Sequence, residues 1–206
     1  MGNQEIKEHK NKYWLDGQQY TGELVDDQRN GKGENIWPSG ERYIGEWKND
    51  LRHGRGENIW ADGERYIGEW KEGKRHGRGE NYWPDGMKYN GEWKNGNIHG
   101  HGEYYWPNGE KYVGEWKEGK RNGKGENTWA DGLKYKGSWK NNLVHGRGEF
   151  IWPTGERFVG YWKEGKQYGA GWNIFPDGKK VKGKCIFALD QESYFDENED
   201  YEEEGS

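Results

Sequence analysis

Residues 41–63 read ERYIGEWKNDLRHGRGENIWADG, and residues 64–86 start the same pattern again as ERYIGEWKEGKRHGRGENYWPDG. Aligned on the first tyrosine of each unit, equivalent residues recur every 23 positions without an insertion. They are Tyr20, Tyr43, Tyr66, Tyr89, Tyr112, Tyr135, Phe158 and Val181. A fixed period of this length indicates a stacked array in which each unit buries its neighbour.

Each unit contains two stretches of alternating residues. RYIGEW (42–47) and GRGENIW (54–60) both show the period of two that is typical of β-strands. The connecting stretches KNDLRHG and WADG supply Asn, Asp and Gly, which tolerate turn geometry. Each repeat is therefore predicted to be a β-hairpin joined by a tight turn to the next one.

Alternation also assigns the two faces of the predicted sheet. Tyr43, Gly45 and Trp47 share one face, where glycine provides a floor for a neighbouring ring. The opposite face carries charged residues with a thin apolar stripe. We therefore expect an all-β fold: an elongated, single-layer antiparallel array of 23-residue hairpin repeats that forms a twisted ribbon.

The repeat defines three segments. We expect an N-terminal segment at residues 1–12, an array at residues 13–188 with seven full repeats and a partial unit at each end, and an acidic tail at residues 189–206. Nine Asp and Glu residues and no Lys or Arg follow Leu189, so we expect the tail to be disordered unless bound. Residues 1–189 retain 32 basic against 28 acidic residues, a formal charge of +4.

The composition restricts the class of protein. Hydrophobic residues make up only 29% of the 206 residues, but 16% of all residues are aromatic, which argues against a wholly disordered chain. The single cysteine, Cys185, has no partner for an internal disulfide, and no apolar stretch resembles a signal peptide or a transmembrane helix. We expect a soluble, cytoplasmic protein.

The repeat resembles the MORN repeat (membrane occupation and recognition nexus). The family pattern of Y-x-G-x-W, then G-x-G, then an aromatic residue and a D-G turn runs through the array to about residue 185. The matching positions of one repeat are Tyr66, Gly68, Trp70, Gly77, Gly79, Trp83, Asp85 and Gly86. The pattern fails at Leu24, Val181 and Cys185, which belong to the first and last units, where caps are usual.

The resemblance implies an elongated β array without catalytic activity. Members of the family serve as scaffolds in cilia and flagella, in parasite cytoskeletons and in junctional membranes. Protein binding and dimerisation are the roles that the family implies best, and its name records a proposed affinity for phospholipids. The compact build of this chain is similar to the axonemal and cytoskeletal members.

Repeated polar residues do not form a catalytic or metal site in this prediction. His53, His76, His99 and His145 recur at one position, but equivalent positions lie about 10 Å apart, and zinc holds its ligands within about 2.1 Å. Repeated glutamates such as Glu46 and Glu57 are expected to pair with Arg and Lys across strands. The G-x-G pairs lack the following helix and Lys of a phosphate loop. We expect no catalytic residue, no metal and no cofactor.

The aromatic and glycine face is the predicted binding surface. Its rings repeat at a fixed pitch, so many weak, equivalent contacts would give avidity for an extended or helical protein segment. The predicted partner-binding residues are Tyr43, Trp47, Tyr66, Trp70, Tyr89, Trp93, Tyr112 and Trp116. The function expected is a non-enzymatic scaffold of a ciliary or cytoskeletal assembly.

A peripheral membrane tether is the alternative. Basic residues such as Lys48, Arg52 and Arg55 could attract phosphoinositides or other anionic lipids, weakly because each repeat carries nearly as many acids. Nucleic acid is not expected as a partner, since the acidic tail adds to the negative charge.

The seventh repeat departs from the others. Tyr161 and Trp172 replace repeated glutamates, and Tyr168 replaces the repeated His or Asn. With Val159 and Ile174 they form the seventh-repeat patch on the face that is charged elsewhere. Such a patch predicts docking of a partner or a second copy, and hence a homodimer through the C-terminal repeat. Alternatively, residues 186–189 fold back and cover it. The acidic tail could neutralise a partner or a basic strip of this chain.

Overall fold

A computed structural model of the protein describes residues 8–187. The predicted acidic tail and residues 1–7 of the predicted N-terminal segment lie outside this range. Residues 8–12, which were expected to precede the array, instead belong to a strand that pairs with the first repeat. The described residues form β-strands and turns, and none of them forms a helix that could span a bilayer.

The described residues divide into two compact units, with the boundary between Pro107 and Asn108. The strands of the first unit are β1 (Glu8–Tyr13), β2 (Gln19–Val25), β3 (Gln28–Ile36), β4 (Arg42–Lys48), β5 (Leu51–Ile59), β6 (Arg65–Lys71), β7 (Lys74–Tyr82), β8 (Lys88–Lys94) and β9 (Asn97–Tyr105). Those of the second unit are β10 (Lys111–Lys117), β11 (Lys120–Thr128), β12 (Lys134–Lys140), β13 (Leu143–Ile151), β14 (Arg157–Lys163), β15 (Lys166–Ile174) and β16 (Lys180–Gly183).

Within each unit every strand pairs antiparallel with the next strand in sequence, so strand order follows chain order. The expectation of an all-β, single-layer antiparallel array of hairpin repeats is confirmed in both units.

The turn inside each hairpin is shorter than the sequence suggested. Asn49 and Asp50 alone connect β4 to β5, and both have positive φ, 49° and 65°. A two-residue turn of this kind matches the twist of the flanking strands. The predicted connector KNDLRHG is therefore too long, because β5 already begins at Leu51.

The longer second strand contains a bulge. Gly45 pairs with Gly56 and Glu46 pairs with His53, so Gly54 and Arg55 are extra residues on β5. Gly54 has φ +55°, which glycine adopts without strain. The bulge explains why one glycine of each G-x-G lies opposite a glycine while the other does not.

The core is a layer of rings lying on glycines. Tyr43 donates a hydrogen bond of 2.9 Å to the carbonyl oxygen of Glu46, and its ring covers the paired Gly45 and Gly56. Trp47 packs edge-on against Tyr43 at 4.9 Å and against Tyr20 of the preceding repeat at 5.9 Å. Each tryptophan thus joins two repeats, which is how a single layer obtains a core.

Candidate protein-binding surface

The eight rings predicted to contact a partner are part of this core. Their exposed fractions run from 0% at Tyr43 to 6% at Trp116. The prediction is therefore wrong in its choice of residues: Tyr43, Trp47, Tyr66, Trp70, Tyr89, Trp93, Tyr112 and Trp116 are the buried layer of the aromatic face. The physical reason is that the rings of successive repeats cover one another and leave almost no area for a partner.

A second row of tryptophans lines the edge of the same face in residues 1–107. These residues open the turns between hairpins, as Trp60 does, and are partly exposed. We call them the tryptophan rim: Trp14, Trp37, Trp60, Trp83 and Trp106. Trp60 accepts hydrogen bonds from the amide of Gly63 and donates its own amide to Glu64, and its ring lies 6.3 Å from Trp70.

The turn geometry fixes the rim tryptophans. Gly63 has φ +96°, and the Asp62 carboxylate accepts a hydrogen bond of 2.8 Å from the Glu64 amide. The same arrangement recurs at Asp85 and Met87 in the next turn. Sequence reasoning treated WADG only as a turn and so missed the rim, although its tryptophans recur with the 23-residue period.

Polar side chains also lie on the aromatic face. In the third repeat, the Arg75 guanidinium donates to Glu64 at 2.8 Å and to Asn81 at 3.1 Å, and Asn81 donates to Glu64 at 2.8 Å. The guanidinium also lies 4.4 Å from the centre of the Trp93 ring. These groups satisfy one another, which makes the partial burial of a charged pair tolerable.

In the fourth and sixth repeats, the three positions of this polar triad change together. The fourth repeat has Met87, Ile98 and Tyr104 at the places of Glu64, Arg75 and Asn81, and the sixth has another apolar set. That set is Leu133, Val144 and Phe150, all buried. The joint change in these two repeats indicates that the three side chains pack as a unit.

The opposite face is only partly the ion-pair lattice that was expected. Glu57 does pair with Arg65 of the next hairpin at 2.6 Å, and Glu80 pairs with Lys88 at 3.2 Å. Glu46 behaves differently: its carboxylate accepts a hydrogen bond of 2.9 Å from the bulge amide of Arg55. Equivalent bonds are made by Glu69 and Glu92, and by Glu115 of the fifth repeat. Within residues 8–187 no cation lies within ion-pair distance of Glu46, Glu69 or Glu92, so the expected cross-strand cation pairing is wrong for these three glutamates.

Burial shifts the acid–base chemistry of the core phenols. It raises the pKa of Tyr20 to about 12, and it raises the pKa of Tyr43, Tyr66, Tyr89, Tyr112 and Tyr135 further. Burial also raises the pKa of the Cys185 thiol. In the described part of the chain, no group of three or more His, Cys, Asp or Glu residues is arranged to hold a metal ion.

The seventh-repeat patch lies on the face opposite the core. Val159 pairs with Trp172 and Tyr161 pairs with Tyr168 across β14 and β15. Tyr161, Tyr168 and Trp172 are 56%, 66% and 46% exposed, and Ile174 and Val159 are partly exposed. The exposed aromatic cluster that the alternation predicted is therefore present in the structure.

The chain after β16 runs over the other face. The Ile186 amide donates 3.0 Å to the side-chain oxygen of buried Asn173, and the Phe187 ring lies 5.0 Å from Trp152 and 5.5 Å from Phe175. The alternative in which this segment covers the patch is therefore wrong for Ile186 and Phe187. Ala188 and Leu189 lie outside the described residues.

These features define a class: an all-β repeat array with a buried aromatic core, partly exposed rim tryptophans and one exposed aromatic patch. The MORN repeat family matches residues 20–42, 43–65, 66–88, 89–111, 112–134 and 135–157. The chain belongs to the MORN-repeat family, as its repeat pattern predicted. MORN repeats are generally non-catalytic modules that bind proteins or associate with membranes.

The chain is similar in fold to solved all-β domains. The TCP domain of Drosophila melanogaster SAS-4 (dCPAP), in complex with a proline-rich motif of Ana2 (dSTIL), has a TM-score of 0.50 and 11% identity over 86% of this chain and 90% of that one. The G-box domain of the microcephaly protein CPAP has a TM-score of 0.41 and 13% identity over 86% of this chain and 99% of that one. No curated protein sequence matches the chain. At these identities the likeness concerns the fold alone.

Proposed function

We propose that this protein is a non-enzymatic scaffold that binds an extended, proline-rich segment of a partner protein along the tryptophan rim. The observation that carries the proposal is the row of partly exposed tryptophans, one per repeat, in residues 1–107. The buried core rings hold this row in place, so the rim is preorganised and loses little entropy on binding.

The pitch of the rim fits a polyproline II segment. Successive rim tryptophans such as Trp37 and Trp60 are two strands apart, roughly 10 Å. A polyproline II helix advances about 9.3 Å in its three-residue turn. Every third residue of the partner would therefore meet an equivalent tryptophan, and aromatic-lined grooves are a common way to recognise proline-rich segments.

The likeness to the SAS-4 TCP domain supports this choice by analogy. That domain is in complex with a proline-rich motif, and it shares the fold of this chain at a TM-score of 0.50. The setting we propose is a cytoplasmic assembly of the cytoskeleton, such as a cilium or a centriole. It rests on this analogy and on the resemblance to axonemal MORN proteins.

Charge pairing weighs against the membrane tether. Cations on the face opposite the core are partly neutralised by glutamates of neighbouring hairpins, as in the pairs Arg42–Glu34 at 2.5 Å and Arg65–Glu57 at 2.6 Å. A lipid surface would have to compete with these carboxylates. Flotation with phosphoinositide vesicles at physiological and raised salt tests the tether, because binding by surface cations fades as salt rises.

The experiment for the scaffold function measures the affinity of a fluorescent peptide of repeated P-x-x-P for the full chain. The double variant Trp60→Ala/Trp83→Ala should weaken binding by about tenfold or more, since a buried tryptophan contact contributes about 1–2 kcal/mol or more to an interface. Circular dichroism of the variant checks that the array is folded.

The matched control replaces an exposed residue of the opposite face, Ile67, which is 38% exposed. The variant Ile67→Ala should bind the peptide as the unmodified chain does. Equal affinity of the chain and the folded double variant would overturn the rim as the binding surface, and a preference for a helical peptide would overturn the polyproline segment.

A further inference from the structure

We propose that the acidic tail of the same chain, residues 190–204, docks on the seventh-repeat patch. The patch contains three aromatic side chains that are between 46% and 66% exposed. Clusters of exposed aromatics are unusual on a soluble surface and mark contact sites. This inference is independent of the tryptophan rim, whose residues all belong to the first unit.

Cations surround the patch. Arg147 pairs with Tyr161 on one side, and Lys182 pairs with Trp172 on the other. With their neighbours at the hairpin turn and on β16 they form a ring of exposed cations: Arg147, Lys163, Lys166, Lys180 and Lys182. Within residues 8–187 none of the five has a carboxylate as an ion-pair partner. Of the nearby glutamates, Glu149 pairs with Arg157 at 3.0 Å, and Glu164 lies in the turn between Lys163 and Lys166 without an ion pair to either of them.

The chemistry of the tail complements this ring. Residues 190–204 carry nine carboxylates and no cation, and three aromatic residues are placed among them: Tyr194, Phe195 and Tyr201. Aromatic side chains can stack on the exposed rings of the patch while carboxylates meet the cations. One segment would thereby contact both the exposed aromatic rings and the cations around them.

The tail can reach the patch. The described chain ends at Phe187 near Phe175, at the edge of the sheet that β16 closes. Residues 188–193 span at most about 20 Å when extended, and one strand is only about 4.8 Å wide. The chain can therefore pass around β16 and bring Tyr194 and Phe195 to the face that carries Trp172.

A second copy of the chain fits the patch less well. A two-fold dimer through this repeat would place the same surface of each copy face to face, and with it five cations against five. A tethered segment, by contrast, acts at an effective concentration on the order of 1 mM. The tail of the same chain is therefore a better occupant of the patch than a second copy.

Lysine labelling of the full chain tests the proposal. An acylating reagent is added, and mass spectrometry measures the rate at Lys163, Lys166 and Lys182. Rates are compared between the unmodified chain and the tail variant Tyr194→Ser/Phe195→Ser/Tyr201→Ser. A Kd of ~0.2 mM against an effective concentration of ~1 mM leaves about one sixth of the patch free, so the tail variant should label about six times faster.

The matched control is Lys117 and Lys120, which occupy the same hairpin-turn register in the fifth repeat, away from the patch. Their rates should be equal in both proteins. Equal rates at Lys163, Lys166 and Lys182 in the two proteins would overturn the proposal. Protection that grows with protein concentration would overturn it in favour of a second copy, and protection that needs anionic vesicles would overturn it in favour of a membrane.

Discussion

The Tyr43 ring lies directly over Gly56, so that a β-carbon at Gly56 would overlap the phenol. Gly56 also lies in register with Gly45, whose own β-carbon would come within 2.5 Å of the Gly56 α-carbon. The pair can therefore be replaced only if the ring leaves its place. This relationship repeats in each full hairpin and makes the glycine ladder a packing requirement.

The variant Gly56→Ala should lower the free energy of unfolding by roughly 1–3 kcal/mol, the usual cost of overpacking a core. Urea unfolding followed by circular dichroism measures it. The control is Gly183→Ala, where an added β-carbon meets no atom within 4 Å, so the change should stay within about 0.5 kcal/mol. Equal effects of the two substitutions would contradict the role of the ring.

The polar triad predicts strong coupling between its members. Arg75→Ile should destabilise the chain by roughly 1–3 kcal/mol, because Glu64 and Asn81 lose their half-buried partner and Trp93 loses the stacked guanidinium. The triple variant Glu64→Met/Arg75→Ile/Asn81→Tyr copies the fourth repeat and should recover most of this loss. The measurement is the urea midpoint of each variant.

The outcome of the triple variant decides between two accounts of the triad. Recovery would demonstrate that the three side chains act together, as a double-mutant analysis of contacting residues requires. If the losses of the three single variants simply added, the joint change between repeats would have no basis in packing. Ile98→Arg alone, placed in the apolar triad, should be destabilising as well.

Much of the fold could be predicted from the sequence because the chain repeats it. The period of 23 residues located every hairpin, and alternation along RYIGEW assigned Tyr43 and Trp47 to one face. The aromatic patch of Tyr161 and Trp172 followed from the same alternation. These predictions succeed because the same pattern recurs in many repeats, so that a departure in one repeat does not hide it.

The parts that were missed depend on neighbours in space. The two-residue turn at Asn49 and Asp50 hid the true start of β5, so Arg52 was assigned to a loop instead of the aromatic face. The burial of Trp47 follows from the Tyr20 ring of the preceding repeat, which no single repeat contains. The joint change of residues 64, 75 and 81 to Met87, Ile98 and Tyr104 was the available signal for the triad.

The carboxylate at the bulge is a third test. Glu69 accepts a hydrogen bond of 3.0 Å from the Arg78 amide, and Ser138 stands at the equivalent place in the sixth repeat. Glu69→Ala should cost about 1–2 kcal/mol, as expected for a hydrogen bond to a charged group. Ser138→Glu should raise the urea midpoint, because it restores the bond made in five other repeats. A lower midpoint for Ser138→Glu would contradict this role of the carboxylate.

The buried phenols predict how the fold responds to alkali. Burial raises the pKa of Tyr20 to about 12 from its usual 10, and that of Tyr135 further. A phenol whose folded pKa exceeds its unfolded pKa stabilises the fold fully below pH 10. The contribution falls as the pH rises through 10 toward 12 and above, because the unfolded chain ionises first. The array should therefore unfold in alkali, with several core phenols ionising together.

Titration from pH 8 to 13 followed by phenolate absorbance and by circular dichroism tests this expectation. Loss of β structure should coincide with the late part of phenol ionisation. Tyr135→Phe copies the Phe158 position of the next repeat and removes one coupled phenol, so its alkaline transition should be less steep. Tyr135→Phe also loses the hydrogen bond to the Ser138 carbonyl, which costs about 1 kcal/mol at neutral pH. The alkaline transition of the variant is therefore compared with its own stability at neutral pH. Complete phenol ionisation by about pH 11 with β structure intact would contradict the raised pKa values, since phenols locked over the glycine ladder cannot ionise near their usual pKa of about 10.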